Sequence, residues 1–475
     1  MLSLYSKLRA EDVGALVDIA RHRSLSKGIV FWESNDQLKK TCKPASFTLL
    51  PSPVTKEGFQ FLTSLQPHIN KLLHKVSHDH QFLAKVLESL VNVDDFIKRL
   101  YDLYKASKCS GRKGLELGVF RSDYLFHLEV DENGKESHIP KQIEMNTLAC
   151  AFMEFGSKLT SVHSSILKDA GMETLTSQLP SNKVMSDIGF GFQAAWEAYD
   201  NPDAIFLFMI NECDPNNFDV RAMEDAISKV NKDIVIRKKK FSELFGCVML
   251  TPDKKLMVNN EEVAVVYFQT GYRPEDYINE RSWDIRRTIE MSCAVVSPVV
   301  GYQLAGFKRV QEALAQPNVL EKFIDDPEVA RQVRSTFVGF YPLEMNSDGD
   351  KFVQMAMKNP DSYVVKEERE GEGDNHFGDD IIKLFNEVGS DKRRCAYTLM
   401  DKICPKPIDN VFVTANGFEE VKAVSEFGTF GVILTRGDKI IENFSSGHLL
   451  RTTPGGSNDG RCLTGAAVLD SPILV

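Results

Sequence analysis

One stretch of the sequence combines the residue types of a phosphate-binding site. It runs Lys366-Glu367-Glu368-Arg369-Glu370-Gly371-Glu372-Gly373-Asp374-Asn375 and directly follows the apolar run Tyr363-Val364-Val365. A lysine at a strand end can reach a phosphate, Glu370 can hold a divalent cation between phosphates, and the glycines let backbone N–H groups approach closely. Taken alone, such a charged and glycine-rich stretch is more typical of a solvated loop, so other segments must supply further ligands.

A β-hairpin is predicted to carry a second set of oxygen ligands. An alternating segment from Leu115 to His127 is followed by the turn residues Asp131-Glu132-Asn133-Gly134 and by Lys141 to Asn146 as the returning strand. Strict alternation places Gln142, Glu144 and Asn146 on one face, where Glu144 and Asn146 present two oxygens to a hard cation such as magnesium. The alternative is the polar outer face of an edge strand.

Three histidines form another candidate metal site. His74 and His78 are four residues apart and therefore share a helix face, and His80 and Asp79 lie beside them. The surroundings are rich in lysine and polar residues, which favours a solvated helix end over a set of metal ligands.

The elements that must position these residues follow from apolar periodicity. The pattern is mostly helical from Ala10 to about Lys105 and is clearest from Gln66 to Tyr104. Strands and helices then alternate between Met172 and Tyr272, which predicts an α/β lobe. The apolar run Ala204 to Ile210 is typical of a buried parallel strand.

Binding loops are expected at the ends of the strands of this lobe. They are Asp214 to Asp219 after the first strand, and Gln269 to Tyr272 after the strand Glu262 to Phe268. Farther along, helices are predicted from Trp283 to Ala294 and from Leu304 to Ala315. Strands are predicted at Tyr397 to Met400 and Phe430 to Leu434, and Gly455 to Gly460 is a candidate lid.

Composition limits the class of protein. A chain of 475 residues with 43% apolar and 26% charged residues predicts a large globular protein of two or three interleaved units. A net charge of -10 argues against general binding to nucleic acid or to anionic membranes. The nine cysteines lack a Cys-x-x-Cys pair, which favours a reducing, cytoplasmic location and roles in packing. No signal peptide or membrane span is expected, although secretion after removal of a leader stays open.

Five motifs occur in an order and spacing that indicate a protein family. They are Arg121-Ser122-Asp123-Tyr124, Gln142-Ile143-Glu144-Met145-Asn146-Thr147, Gln303-Leu304-Ala305-Gly306-Phe307-Lys308, the stretch from Lys366 to Asn375, and Gly447-His448-Leu449-Leu450-Arg451-Thr452. With these motifs the sequence resembles the eukaryotic glutathione synthetase family over nearly its whole length.

The resemblance implies a mixed α/β (α+β) fold of the ATP-grasp type and an ATP- and Mg²⁺-dependent ligase, usually a homodimer. In the family, ATP phosphorylates the cysteinyl carboxylate of γ-glutamylcysteine, and glycine attacks the acyl phosphate. Four regions are expected: an N-terminal helical region (1–110), a hairpin with helices (111–200), an inserted α/β substrate lobe (201–300) and a nucleotide-binding region with the lid (301–475).

The resemblance also implies roles for individual residues. Glu144, Asn146 and Glu370 would hold magnesium, and Arg121 and Arg451 would serve as catalytic residues that meet substrate carboxylates. The expected ATP contacts are Lys308, Lys366, Gly371, Gly373, Asn375, Met400, Lys402, Ile403 and Glu426, and the expected substrate contacts are Arg121, Asp214, Asn216, Tyr272 and Arg451.

The sequence departs from the family pattern mainly in the donor pocket. Ala149 and Ala151 replace serines, Asp214 replaces a glutamate, Val220 replaces a glutamine, and Gln269 replaces an arginine. On the nucleotide side and in the lid, the departures are Glu372, Phe377, Thr453, Cys462 and Leu463. Each lost hydrogen bond to a charged ligand costs about 1.5–3 kcal/mol, so affinity for the usual donor should fall.

Two functions therefore stay open. The first is a working ligase, either a divergent glutathione synthetase or one with an altered donor or amine. The second is a paralogue that keeps the fold and nucleotide binding but has become a binding or interaction protein. Retention of Glu144, Asn146, Lys308, Lys366 and Glu370 favours the ligase.

Overall fold

The computed structural model describes residues 3–32, 41–107, 114–211, 217–368, 375–455 and 466–475. The α-helices are α1 (Ala10–Ser26), α2 (Lys56–His78), α3 (His80–Val91), α4 (Asp95–Ser107), α5 (Met153–Asp169), α6 (Val184–Tyr199), α7 (Asn217–Val230), α8 (Glu280–Glu290), α9 (Val300–Ala305), α10 (Lys308–Ala315), α11 (Pro327–Thr336), α12 (Ser347–Lys358) and α13 (Asp379–Val388).

The strands of the first half are β1 (Val30–Trp32), β2 (Cys42–Pro44), β3 (Phe47–Thr48), β4 (Ser52–Val54), β5 (Leu115–Val130), β6 (Glu136–Asn146), β7 (Ile205–Met209), β8 (Ile236–Lys239), β9 (Val248–Leu250) and β10 (Leu256–Val258). Those of the second half are β11 (Glu261–Phe268), β12 (Val295–Ser297), β13 (Phe340–Tyr341), β14 (Tyr363–Glu367), β15 (Asn375–His376), β16 (Tyr397–Asp401), β17 (Ile408–Thr414), β18 (Gly417–Arg436), β19 (Lys439–Pro454), β20 (Val468–Asp470) and β21 (Pro472–Leu474).

The N-terminal region is helical only in part. The long helical stretch is confirmed, and its helices begin at side-chain caps: Thr55 accepts from the N–H of Gly58 at 3.2 Å, and Asp79 accepts from that of Phe82 at 2.9 Å. The prediction of helix is wrong between α1 and α2, where β1 to β4 lie. Strand β3 pairs with β17 and β20, and β4 pairs with β21, so distant partners decide this segment.

A large mixed sheet forms the centre of the molecule. Its hydrogen-bonded order is β17-β3-β20-β19-β18-β5-β12-β11-β10-β9, while β6 pairs with β5, and β7 joins β11 to β8. The strands β8, β7, β11 and β12 are parallel neighbours, as the predicted α/β lobe requires. All four regions expected from the sequence contribute strands to this sheet, and their boundaries stay a prediction.

Strand β7 shows why its sequence is apolar throughout. Ile205, Leu207 and Met209 pack into the core on one face, and Phe206 and Phe208 pack into the core on the other. A strand buried on both faces needs apolar residues at every position, which confirms the prediction of a buried parallel strand.

The hairpin β5–β6 is confirmed, with one correction. The strands are antiparallel, and Gly134 takes a φ of +77° in the turn, a conformation that favours glycine. A bulge lies where Asp123 pairs with Glu144 and Tyr124 pairs with Gln142. Because the bulge inserts one residue, Gln142 points to the opposite face from Glu144, and the prediction that they share a face is wrong.

A separate four-stranded sheet has the order β13-β16-β14-β15. Its register pairs Val364 with Met400, and alternation puts Lys366 on the same face. Val365 and Leu399 point to the other face and pack with α12 and α13. The helix predicted from Leu304 to Ala315 is divided into α9 and α10 by Gly306 and Phe307. Within the described ranges, no helix combines the length and apolar character needed to cross a membrane.

Candidate active site

Charged residues from four neighbouring strands of the large sheet converge. Arg121 and Asp123 on β5 pair with Asn146 and Glu144 on β6, and Glu426 on β18 pairs with Arg451 on β19. Strand β5 also pairs with β18, so the side chains belong to one continuous surface of the sheet. The sequence separates these residues by up to 330 positions, and sheet pairing brings them together.

Glu144 is the electrostatic centre of this surface. Lys308, at the first position of α10, places Nζ 3.8 Å from Glu144 Oε2. Burial alone would raise the pKa of Glu144, but Lys308, Lys366, Arg451 and Arg121 together lower it to about 2. Glu144 is therefore a carboxylate at neutral pH.

Lys366 extends the cluster from the small sheet. It is buried, and burial lowers its pKa, while Glu144 opposes that shift and Lys308 adds to it. Lys366 on the small sheet and Lys308 on α10 both lower the pKa of Glu144 on the large sheet, so these three charged groups lie near one another.

Asp123 connects the two arginines expected to bind substrate. It accepts two hydrogen bonds from Arg121, both at 2.7 Å, and one from Arg451 at 3.3 Å. Arg451 also donates to Glu426, whose pKa is raised by burial against the opposing effect of Arg451. Gly428 lies opposite Asp123, and a Cβ there would come within 2.6 Å of Asp123 Oδ1, so this close approach requires glycine.

Asn146 is oriented for a cation. Its Nδ2 donates to Asp123 Oδ2 at 2.9 Å, which leaves the amide oxygen as the atom that can bind a metal. The ionised Glu144 and this oxygen form the hard oxygen donor set that Mg²⁺ prefers, so the residues present fit a magnesium ion.

The small sheet carries several of the residues expected to contact the nucleotide. Asn375 pairs with Lys366, while Met400 packs with Phe340 and Val364 in an apolar cluster on the face that also carries Lys366. Lys402 and Ile403 directly follow β16, and Lys402 Nζ lies 5.6 Å from the centre of the Phe377 ring. An apolar surface beside a buried lysine suits a base attached to phosphates.

Tyr272 lies in a loop built around Asp276. One carboxylate oxygen of Asp276 accepts from the N–H groups of Gly271 at 2.9 Å and Tyr272 at 3.1 Å. Gln303 donates to the carbonyl of Gly271 at 3.0 Å, and Gly271 has a φ of +90°. Gln269, at the start of this loop, is buried, and its Oε1 has no hydrogen-bond partner in the part of the chain that the structure describes.

The segment after Asn146 has an unusual backbone. Ala149 and Phe152 have φ values of +50° and +68°, which residues other than glycine rarely adopt. Between them Cys150 is buried, and Arg121 donates to the carbonyl of Ala151 at 3.3 Å. Strain of this kind is found most often at ligand sites.

Several expected ligands lie outside the described residues. These are Asp214, Asn216, Glu370, Gly371 and Gly373, together with residues 456–460 of the candidate lid and the departures Glu372, Cys462 and Leu463. Sequence reasoning in turn missed the roles of Asp123 and Asp276. The Arg-x-Asp spacing at Arg121 and Asp123 was a usable signal, because residues two apart on a strand share a face.

The chain is similar to known proteins over nearly its whole length. The family model for the ATP-binding domain of eukaryotic glutathione synthase matches residues 10–474. Glutathione synthetase from Xenopus laevis is 38% identical over 436 residues, which cover 91% of this chain and 90% of the relative. Glutathione synthetase from Homo sapiens is 33% identical over 472 residues and 98% of each chain.

A solved structure gives a further comparison. The apo form of a glutathione synthetase-like effector from Globodera pallida superposes with a TM-score of 0.79 at 22% identity, with 100% of both chains covered. At this identity the likeness shows a shared fold.

Proposed function

Because the chain belongs to the eukaryotic glutathione synthase family and is an ATP-dependent ligase of that type with the ATP-grasp fold, we propose that it joins γ-glutamylcysteine, or a related donor, to glycine or a related amine through an acyl phosphate. One observation carries the proposal: Lys308, 3.8 Å away, and Lys366, from a different element, both stabilise the ionised form of Glu144.

The proposed reaction has two steps. A donor carboxylate oxygen attacks the γ-phosphorus of ATP, and the bond to the β,γ-bridging oxygen breaks, which releases ADP and leaves an acyl phosphate. The amine nitrogen then attacks the acyl carbon, loses a proton and expels inorganic phosphate. No side-chain nucleophile is required, since transfer of the phosphoryl group supplies the leaving group.

Lys308 and Lys366 are the residues proposed to bind the phosphates. Both ammonium groups are largely buried, and in such surroundings they stabilise charge more strongly than in water. The apolar face with Phe340, Val364 and Met400 would hold the adenine, with Asn375, Lys402 and Ile403 at its margin.

Arg121 and Arg451 are proposed to bind substrate carboxylates. Asp123 fixes both guanidinium groups, so little reorganisation is needed when an anion binds. Glu426, expected to contact the nucleotide, already accepts a hydrogen bond from Arg451, and this contact supports a role in orienting Arg451.

Glu144, Asn146 and Glu370 are the proposed magnesium ligands. When bound, Mg²⁺ would neutralise charge on the phosphates during transfer. Removal of Glu370 by Glu370→Ala should abolish ATP turnover, whereas turnover comparable to that of the unchanged protein would remove Glu370 from the metal site.

The identity of the donor is the least constrained part of the proposal. Ala149 and Ala151 offer no hydroxyl, Val220 offers no amide, and Gln269 brings a buried amide oxygen in place of a positive charge. These changes support an altered donor or a weakened affinity for γ-glutamylcysteine. Asp214, Asn216 and Tyr272 complete the proposed donor pocket.

The test is phosphate release from ATP and magnesium with γ-glutamylcysteine and a panel of amines. Release with glycine supports the ordinary ligase, and release with another amine supports an altered acceptor. If the folded protein releases no phosphate with γ-glutamylcysteine and any of the amines, the result would instead support a binding role. A homodimer is also proposed from the family resemblance, and light scattering in solution tests it.

A further inference from the structure

A second cluster of metal-binding side chains lies at the end of α2, away from the candidate active site. His74 and His78 stand one helical turn apart, and Glu116 reaches them from the start of β5. Their candidate ligand atoms all lie within 4.8 Å of one another. Glu116 precedes Arg121 by five residues on the same strand, a separation of roughly 16 Å, so the cluster is distinct from the site around Glu144.

The distances suit a shared ion. Glu116 Oε2 lies 3.4 Å from His78 Nε2 and 4.0 Å from His74 Nδ1, and the two imidazole rings are 4.4 Å apart. Ligand atoms about 2 Å from one zinc ion are about 3.3 Å apart in a tetrahedral site. Because the three ligand atoms lie within 4.8 Å of one another, they would have to approach by at most about 1.5 Å to complete such a site.

A main-chain carbonyl orients the imidazole of His78. His78 Nδ1 lies 2.9 Å from the carbonyl oxygen of His74. Metal-binding histidines commonly hold one ring nitrogen on a carbonyl in this way and present the other to the metal. The orientation leaves His78 Nε2 facing Glu116.

We propose that His74, His78 and Glu116 form a zinc site that joins the end of α2 to the start of β5. Two imidazoles and one carboxylate favour Zn²⁺ over Mg²⁺, because magnesium prefers a set made of oxygens. His74 and Glu116 are buried, and the His78 side chain is 41% exposed, so an ion can enter from solvent. The third ligand of the site is thus Glu116 from another element. Asp79, which the sequence pattern placed beside the histidines, caps α3.

One contact competes with the ion. The Tyr302 hydroxyl lies 2.8 Å from His74 Nδ1, the nitrogen proposed to bind zinc. Zinc binding must displace this hydroxyl, so Tyr302→Phe should tighten the binding of zinc.

The test is calorimetric titration of the full chain with Zn²⁺ in the absence of magnesium. His78→Ala and Glu116→Gln should each weaken zinc binding at least about 10-fold, as expected for the loss of a ligand. His80→Ala is the matched control, because His80 lies two residues away on α3 outside the cluster. All variants keep the same cysteines, so zinc bound by thiols is common to them.

Melting temperature provides the second measurement. Zinc should raise the melting temperature of the unchanged protein and of His80→Ala. The increase should be much smaller for Glu116→Gln, a change that preserves the shape of the side chain. Absence of saturable zinc binding in the unchanged protein, or equal binding in His78→Ala, Glu116→Gln and His80→Ala, would overturn the proposal. A Tyr302→Phe variant that loses zinc binding would overturn the assignment of His74 Nδ1.

Discussion

Replacement of Asp123 by asparagine tests the charge arrangement of the active site. Asp123 is 1% exposed and accepts hydrogen bonds from Arg121, Arg451 and Asn146. Asparagine keeps the size of the side chain but removes the negative charge, and its NH₂ group cannot accept from a guanidinium. Arg121 would then lose its bidentate partner beside the second cation, Arg451.

The expected cost follows from the burial of this pair. Loss of one partner of a buried ion pair costs about 3–5 kcal/mol, because the remaining charge stays desolvated. A typical protein has a free energy of unfolding of about 5–15 kcal/mol, so Asp123→Asn should lower that of this protein by a large fraction. Phosphate release should fall as well, since Arg121 and Arg451 lose their common anchor.

Urea unfolding monitored by tryptophan fluorescence measures the stability change. The matched control is Asp409→Asn, whose partner Lys422 lies 3.0 Å away in an exposed pair and should contribute less than about 1 kcal/mol. A double-mutant cycle with Arg121→Gln should give a coupling free energy above about 1 kcal/mol, as residues in contact do. If Asp123→Asn is as stable as Asp409→Asn, the ion-pair reasoning is refuted.

Three further predictions concern catalysis, specificity and pH. Glu144→Gln should lower the rate of phosphate release by about 100-fold, as the loss of a preorganised charged group does. The control is Glu136→Gln on the same strand, which should leave the rate unchanged because Glu136 pairs with Lys406 at the surface. Equal rates in the two variants would contradict the role of Glu144. The combined change Ala149→Ser, Ala151→Ser and Gln269→Arg should raise kcat/KM for γ-glutamylcysteine at least about 10-fold, and no gain would show that these positions do not set donor affinity. Burial lowers the pKa of His163 to about 4, whereas the pKa of a histidine in the unfolded chain is about 6.5. Protonation below pH 6.5 therefore favours the unfolded chain, and the free energy of unfolding falls by about 3 kcal/mol between pH 6.5 and 4. Urea midpoints at pH 7 and pH 4.5 should therefore differ less in His163→Gln than in the unchanged protein, and an equal difference would contradict this assignment.

The sequence was most informative where local chemistry decides structure. The turn at Gly134 and the apolar run of β7 identified a hairpin and a buried strand, because turn geometry and burial on two faces each require particular residue types. The five motifs likewise identified the family, since each keeps the residue types of one part of the site.

Periodicity was less reliable where a local irregularity or a distant partner decides. One inserted residue at the bulge turned Gln142 to the face opposite Glu144, and no local pattern marks that insertion. The segment from Val30 to Val54 became strand because partners near the C-terminus offered hydrogen bonds.

The sequence by itself determined which groups are available: the cations and carboxylates of a ligase, the glycines of its turns, and the changed donor-pocket residues. Only the tertiary structure decided which of them meet. Asp123 and Arg451, 328 residues apart, share a hydrogen bond because β5 and β19 both pair with β18, and Glu116 joins His74 and His78 because β5 begins beside the end of α2. Pairing between distant strands depends on the packing of the whole chain, and a single sequence carries no local record of it.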